Sequence, residues 1–154
     1  MRYFAYGSNL DWDQMRERCP SSAFLHVACL RDHMLAFTRY SPKRGCGVAD
    51  VVQRVGHEVW GVVYELNDDD GRRLDAFEGY VPGRRRNGYR RIDTRVAIDG
   101  FDTRTIEVVT YEVCERRSTH MPPDRRYLDH LRRGARAWGL PEAYQAALLD
   151  VAVV

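Results

Sequence analysis

The sequence predicts an α+β fold in which a mainly antiparallel, barrel-like sheet is surrounded by helices. Three observations carry this. Strand-like segments follow one another in hairpin order, few helical segments separate them, and helical periodicity is concentrated in the last third of the chain. A doubly wound parallel sheet would need a crossover helix between most strands. The 154 residues suit one compact domain spanning 1–154, and no repeat or low-complexity linker divides them.

The elements follow in order. Arg2 to Tyr6 reads as a short aromatic strand that stops at Gly7. Asp11 can cap a helix running to about Cys19, with Gln14 as the returning half of a capping box, and Pro20 follows its end. Ala23–Leu30 and Met34–Tyr40 read as two strands, and Ser41 to Gly45 as the loop after them. Val48–Val52 and Glu58–Leu66 are the next strands. The second is apolar on both faces and is expected to be covered on both. Asn67 caps a helix from Asp68 to about Phe77, with Leu74 and Phe77 on its apolar side and Gly79 as the stop. Alternation resumes over Tyr89–Ile98, Asp99-Gly100 turns, and Thr105–Val113 returns. Pro122-Pro123-Asp124 opens a helix whose apolar residues are Tyr127, Leu128, Leu131, Ala135 and Trp138. Gly139 ends it, and Pro141 starts a final helix through Leu149.

Composition excludes several classes. Apolar residues make up 44% and charged residues 30%, a globular balance rather than a disordered one. No run of apolar residues is long enough for a membrane-spanning helix, and the N-terminus turns polar at once, so a cytoplasmic location is expected. Four scattered cysteines without a C-x-x-C pair point to reduced thiols rather than disulfides or structural zinc. Lys43 is the only lysine, and arginines recur in doublets and one triplet. Acids interleave with them and the net charge is only +2, so a one-sided nucleic-acid footprint is not expected. Neither a phosphate loop, a dinucleotide fingerprint nor a G-x-S-x-G elbow occurs.

Two features remain for chemistry. The first is the strand-to-loop junction Tyr3-Phe4-Ala5-Tyr6-Gly7-Ser8-Asn9, where a glycine lets successive N–H groups face one concavity and hold an anion. The second is Glu78, an acid at the end of a helix, where the macrodipole disfavours it, between Phe77 and Tyr80. An aromatic, partly dry setting raises a carboxyl pKa from about 4.3 towards the range useful for acid–base work. Taken singly, the first reads as a turn into a helix and the second as a surface acid.

Together they change weight. Tyr3 to Leu10, Trp60-Gly61-Val62-Val63-Tyr64, Leu74-Asp75-x-x-Glu78-Gly79 and Gly88-Tyr89-Arg90-Arg91 occur in that order. Pro122-Pro123, Tyr127, Gly134-Ala135 and Gly139-Leu140-Pro141-x-x-Tyr144 follow. This series resembles the γ-glutamylcyclotransferase family along nearly the whole chain. The resemblance implies a small β-barrel-like sheet with helices packed around it. It also implies release of a γ-glutamyl group as 5-oxoproline, with Glu78 as catalytic acid/base and no metal or organic cofactor. Tyr3, Phe4, Ala5, Tyr6, Gly7, Ser8 and Asn9 match the substrate loop, and Tyr127 matches a substrate-contacting tyrosine. Val81 to Gly88 departs from the pattern, being longer and richer in arginine. Tyr80 to Gly88, carrying Arg84-Arg85-Arg86 just after Glu78, is expected to form a flap over the leaving-group side that selects acidic or otherwise hydrogen-bond-accepting leaving groups.

The expected partner is therefore a γ-glutamyl small molecule, not a nucleic acid or a membrane. The leaving amine is open among dipeptides, γ-glutamyl-amines and protected metabolites, and so is the choice between monomer and homodimer. The rival from another class is a non-catalytic small-molecule-binding or interaction domain on the same fold; an intact loop together with an acid at position 78 disfavours it.

Overall fold

The computed structural model describes residues 1–154. Five strands close into a barrel in the order β1-β3-β2-β4-β5. They are β1 (Arg2–Ala5), β2 (Ala23–Ser41), β3 (Cys46–Glu65), β4 (Tyr89–Ile98) and β5 (Thr105–Val113). All pairs are antiparallel except the seam, where β1 meets β5 in parallel at Tyr3↔Val109. Helices α1 (Trp12–Arg18), α2 (Asp68–Phe77), α3 (Arg125–Ala137) and α4 (Glu142–Leu149) surround it.

The barrel is dominated by one long hairpin. Where the sequence pattern breaks into two strands on each side, the chain runs continuously for 19 residues in β2 and 20 in β3. The polar stretches that suggest turns, Arg31-Asp32-His33 and Arg54 to His57, lie opposite each other in a bulged bend. Register passes there from Arg31↔Glu58 to His33↔Gln53. Asp32 adopts φ 57° and Gly56 φ 84°, and the Gly56 N–H donates to Asp32 Oδ1 at 3.0 Å. The bend redirects the hairpin without ending it.

The core is one cluster of buried apolar side chains running from Phe4 and Val62 through Leu74 to Leu128, Leu131 and Leu148. Both faces of Val59 to Tyr64 are covered as expected, only Trp60 staying partly exposed. Leu74 is buried on α2, but Phe77 is 42% exposed; Arg18 and Lys43 instead lie over its ring, 4.9 and 5.8 Å from the centroid. The capping box at α1 does not form. Asp11 accepts from Asp13 N at 3.1 Å, while the Gln14 amide turns away from the helix start. Pro141 stands at the N-cap of α4, one position before its first turn. Helix α3 lies close against the loop after β1: a Cβ at Gly134 would come within 2.3 Å of the Leu10 backbone. No helix is long and apolar enough to cross a membrane.

Candidate functional site

A cleft of about 740 Å³ opens where the end of β1, one face of α1, the C-terminus of α2 and the start of α3 converge on the far half of the hairpin. Each element is fixed by its own local chemistry. Helix α2 starts at Asn67, whose side chain accepts from Asp70 N at 2.8 Å. It stops at Gly79, which takes the left-handed conformation at φ 67°. There the Gly79 N–H donates to Ala76 O and the Tyr80 N–H to Asp75 O, the two bonds of a Schellman ending. This stop leaves Glu78 as the C-cap, on the cleft wall. Asp124 starts α3 by accepting from Tyr127 N at 2.7 Å, which places Tyr127 on the opposite wall.

The loop after β1 coils into a single 3-10 turn, Ser8–Leu10, with Leu10 N bonded to Gly7 O. The N–H groups of Gly7, Ser8 and Asn9 have no acceptor within the chain. Asn9 is only 2% exposed, and its side chain joins loop to acid. Its Nδ2 donates to Tyr3 OH at 3.2 Å and to Glu78 Oε1 at 3.4 Å. Its Oδ1 accepts from Gln14 Nε2 at 3.0 Å and Arg18 NH1 at 3.2 Å. Gln14 Nε2 also donates to Ser8 Oγ at 2.8 Å. Arg44 NH2 donates to both Ser8 Oγ and Gln14 Oε1, and its guanidinium lies 5.0 Å from the Tyr127 ring centroid.

Burial is the main influence on Glu78 and holds its carboxyl above the ordinary carboxylate range. Arg18 and Arg44 pull it back down, and Asp75 adds a smaller push upward. Tyr127 is buried and pushed up to about 12, so it stays a neutral phenol. Its oxygen accepts from Ala49 N at 3.0 Å, and Tyr89 OH donates to Ala49 O at 2.6 Å. Two phenols therefore bracket one residue of β3 at the cleft floor.

Most of the residues singled out in the sequence come together. Tyr3, Tyr6, Gly7, Ser8, Asn9, Glu78 and Tyr127 all line the cleft. Phe4 and Ala5 do not: both are fully buried in the core, and Phe4 supports the wall from behind as its carbonyl accepts from Thr110 Oγ1. Gly7 has φ −103°, so its value is space rather than a left-handed backbone; a Cβ there would touch Tyr127 OH at 3.4 Å. Of the arginine triplet only Arg84 reaches the cleft, while Arg85 and Arg86 lie exposed outside it. Gln14, Arg18, Arg39, Arg44 and Tyr89 also line it, and the sequence reading did not single them out. Gln14 and Arg18 carry a usable signal, since an i, i+4 pair directly after the loop shares one helix face. Nothing in the sequence points to Arg39 or Arg44.

Comparison with known proteins bears on this cleft. Residues 58–148 match the model of the AIG2-like family. Over 150 residues the chain is 36% identical to the γ-glutamylcyclotransferase of Homo sapiens, covering 95% of this chain and 76% of that protein. The Bos taurus γ-glutamylcyclotransferase is 33% identical over 153 residues, covering 97% and 77%. A solved γ-glutamyl cyclotransferase structure superposes with a TM-score of 0.89 at 33% identity, covering 100% of this chain and 89% of that one.

Proposed function

The chain belongs to the γ-glutamylcyclotransferase family and shares its activity, and from that premise we propose how this cleft performs it. The observation that carries the proposal is the Asn9–Glu78 contact: it sets an acid with raised proton affinity against a loop of free N–H donors.

The reaction is an intramolecular acyl transfer. The α-nitrogen of the γ-glutamyl group attacks its own γ-carbonyl, a five-membered ring closes, and the bond to the leaving nitrogen breaks. Ring closure of well-aligned groups is worth effective molarities on the order of 10⁵ M or more, so folding the substrate back is the largest contribution required. The α-ammonium loses two protons in becoming the lactam N–H, and the departing nitrogen gains two in becoming an ammonium. Glu78 relays them, taking each as a carboxylate and delivering it as an acid. One group can serve both transfers because its raised pKa narrows the gap between the two roles.

The N–H groups of Gly7, Ser8 and Asn9 bind the developing oxyanion or the α-carboxylate. Tyr127 already accepts from Ala49 N, so its own O–H proton remains to be donated to substrate. Tyr3 stands in the same way behind Asn9, and Phe4 and Ala5 hold the loop from the core. The 154 residues act as one domain around a continuous core. Three buried free thiols, Cys19, Cys29 and Cys46, suit the reducing conditions of the cytoplasm.

The test is mass-spectrometric detection of 5-oxoproline from a panel of γ-glutamyl compounds, run beside the Glu78→Gln variant. Product from the wild type and not from the variant is the expected result. Equal release by both would remove Glu78 from the mechanism.

A further inference from the structure

Six cationic side chains line the cleft, Arg18, Arg39, Lys43, Arg44, Arg84 and Arg126, against two acids, Glu78 and Asp124. None of the six takes part in an ion pair. Eleven arginines elsewhere do, among them Arg31 with Glu58 and Asp102, Arg90 with Glu112, Arg91 with Asp75 and Arg116 with Asp50. Eleven of the eighteen arginines outside the cleft are thus paired with acids, whereas the cleft leaves all of its own unmatched.

The contacts they do make are neutral. Arg84 donates to Asn87 Oδ1 at 2.8 Å and Gly79 O at 2.9 Å, which pins its guanidinium beside the residue after Glu78. Arg39 lies 6.0 Å from the centroid of the Tyr89 ring, and Lys43 lies over Phe77. Arg18 and Arg44 act directly on Glu78 and on the loop from Ser8 to Asn9, so they belong to the end that holds the γ-glutamyl group. Arg39, Lys43, Arg84 and Arg126 are left over. A γ-glutamyl head brings one ammonium and one carboxylate, which cancel, so the head alone does not answer this excess.

We infer that the leaving group carries the matching charge: the cleft is built for γ-glutamyl compounds whose released amine is itself a dicarboxylate, such as an acidic α-amino acid. The inference rests on the cyclotransferase reading of the same cleft. Fixed guanidinium groups bind carboxylates with charge-assisted bonds, and the unpaired collar raises the local concentration of an anionic substrate. Arg39, Arg84 and Arg126 are specificity determinants acting on the leaving amine; the proton relay does not involve them.

The experiment compares kcat/KM for γ-glutamyl-glutamate, γ-glutamyl-alanine and γ-glutamyl-ethylamide by 5-oxoproline release, at low and high ionic strength. It uses the wild type and an Arg84→Gln/Arg126→Gln variant, two exposed positions at which folding is not at stake. The expected order is glutamate over alanine over ethylamide. The double substitution should lower the glutamate-to-ethylamide ratio by about 10-fold or more, mainly through KM. Raising the salt should shrink the same ratio in the wild type. A wild-type ratio near or below one, or a ratio indifferent to the double substitution, overturns the inference while leaving the cyclotransferase reading standing. Release of 5-oxoproline from none of the three compounds overturns both.

Discussion

Glu78 closes a helix under the influence of three neighbouring charges, and each can be removed separately. Glu78→Gln keeps the size of the side chain and its contact with Asn9, and deletes the proton relay proposed above. The expected loss in kcat is about 10²- to 10⁴-fold with little change in KM, read from steady-state 5-oxoproline release. The same substitution has a stability signature. A carboxyl whose folded pKa is raised opposes folding once it ionises. The penalty is absent below the ordinary carboxylate range and complete above the folded pKa. Thermal melts should therefore find Glu78→Gln equal to the wild type in acid and more stable at neutral pH. On the proposed mechanism the acid limb of the kcat/KM profile should report Glu78. Arg18→Gln removes an influence that lowers its pKa and should move that limb to higher pH; Asp75→Asn removes one that raises it and should move the limb down. Asp75 has a second duty, being buried and accepting from Tyr111 OH and from Arg91 NH1 at 3.1 Å. Its amide variant should lose about 1.5–3 kcal/mol in denaturant titrations.

At the scale of elements, the loop after β1 makes the sharpest test of packing. A methyl at residue 7 meets Tyr127 OH and Ala49 Cβ at ordinary contact distance, so Gly7→Ala should retain substantial turnover. Gly7→Val carries two further carbons into the space beside Tyr127 and should abolish turnover in a folded protein. Equal activity in the two variants would show that the loop does not face substrate. The same elements mark what the sequence made legible. Every helix, the barrel's antiparallel character and the pairing of Glu78 with the glycine loop follow from caps, alternation and a recognisable motif order. The continuity of β2 and β3 does not, because Arg31-Asp32-His33 has the polarity of a turn and becomes a bulge only through pairing with a distant strand. Gln14 misleads for a related reason: its spacing from Asp11 fits a capping box, and the pull of Ser8 and Asn9 is a tertiary effect. The cationic cleft is invisible in one dimension, since its members come from α1, β2, the β2–β3 turn, the α2–β4 loop and α3.

Across the whole molecule, a buried acid paired with a partly exposed arginine ties the far half of the hairpin to β5 and the segment that follows it. Asp50 is fully buried, accepts from Thr38 Oγ1 and Val113 N, and meets Arg116 Nε at 2.6 Å. Arg116→Ala leaves that carboxylate without its cation and, because the guanidinium is partly solvated, should cost about 1–2 kcal/mol, measured by chemical denaturation. Because Asp50 adjoins Ala49, on which Tyr89 and Tyr127 are both anchored, activity should fall with it. The seam at Tyr3↔Val109 carries a different consequence, one of timing. Strand β1 is made before the other four strands, yet its two neighbours lie at Val62 to Glu65 and at Val109. The glycine loop that hangs from it cannot be braced on both sides until the chain has been made through β5. A chain that stops short of β5 holds Glu78 and the loop in its sequence but lacks the seam that braces them, so the cleft is expected to take shape only as the barrel shuts.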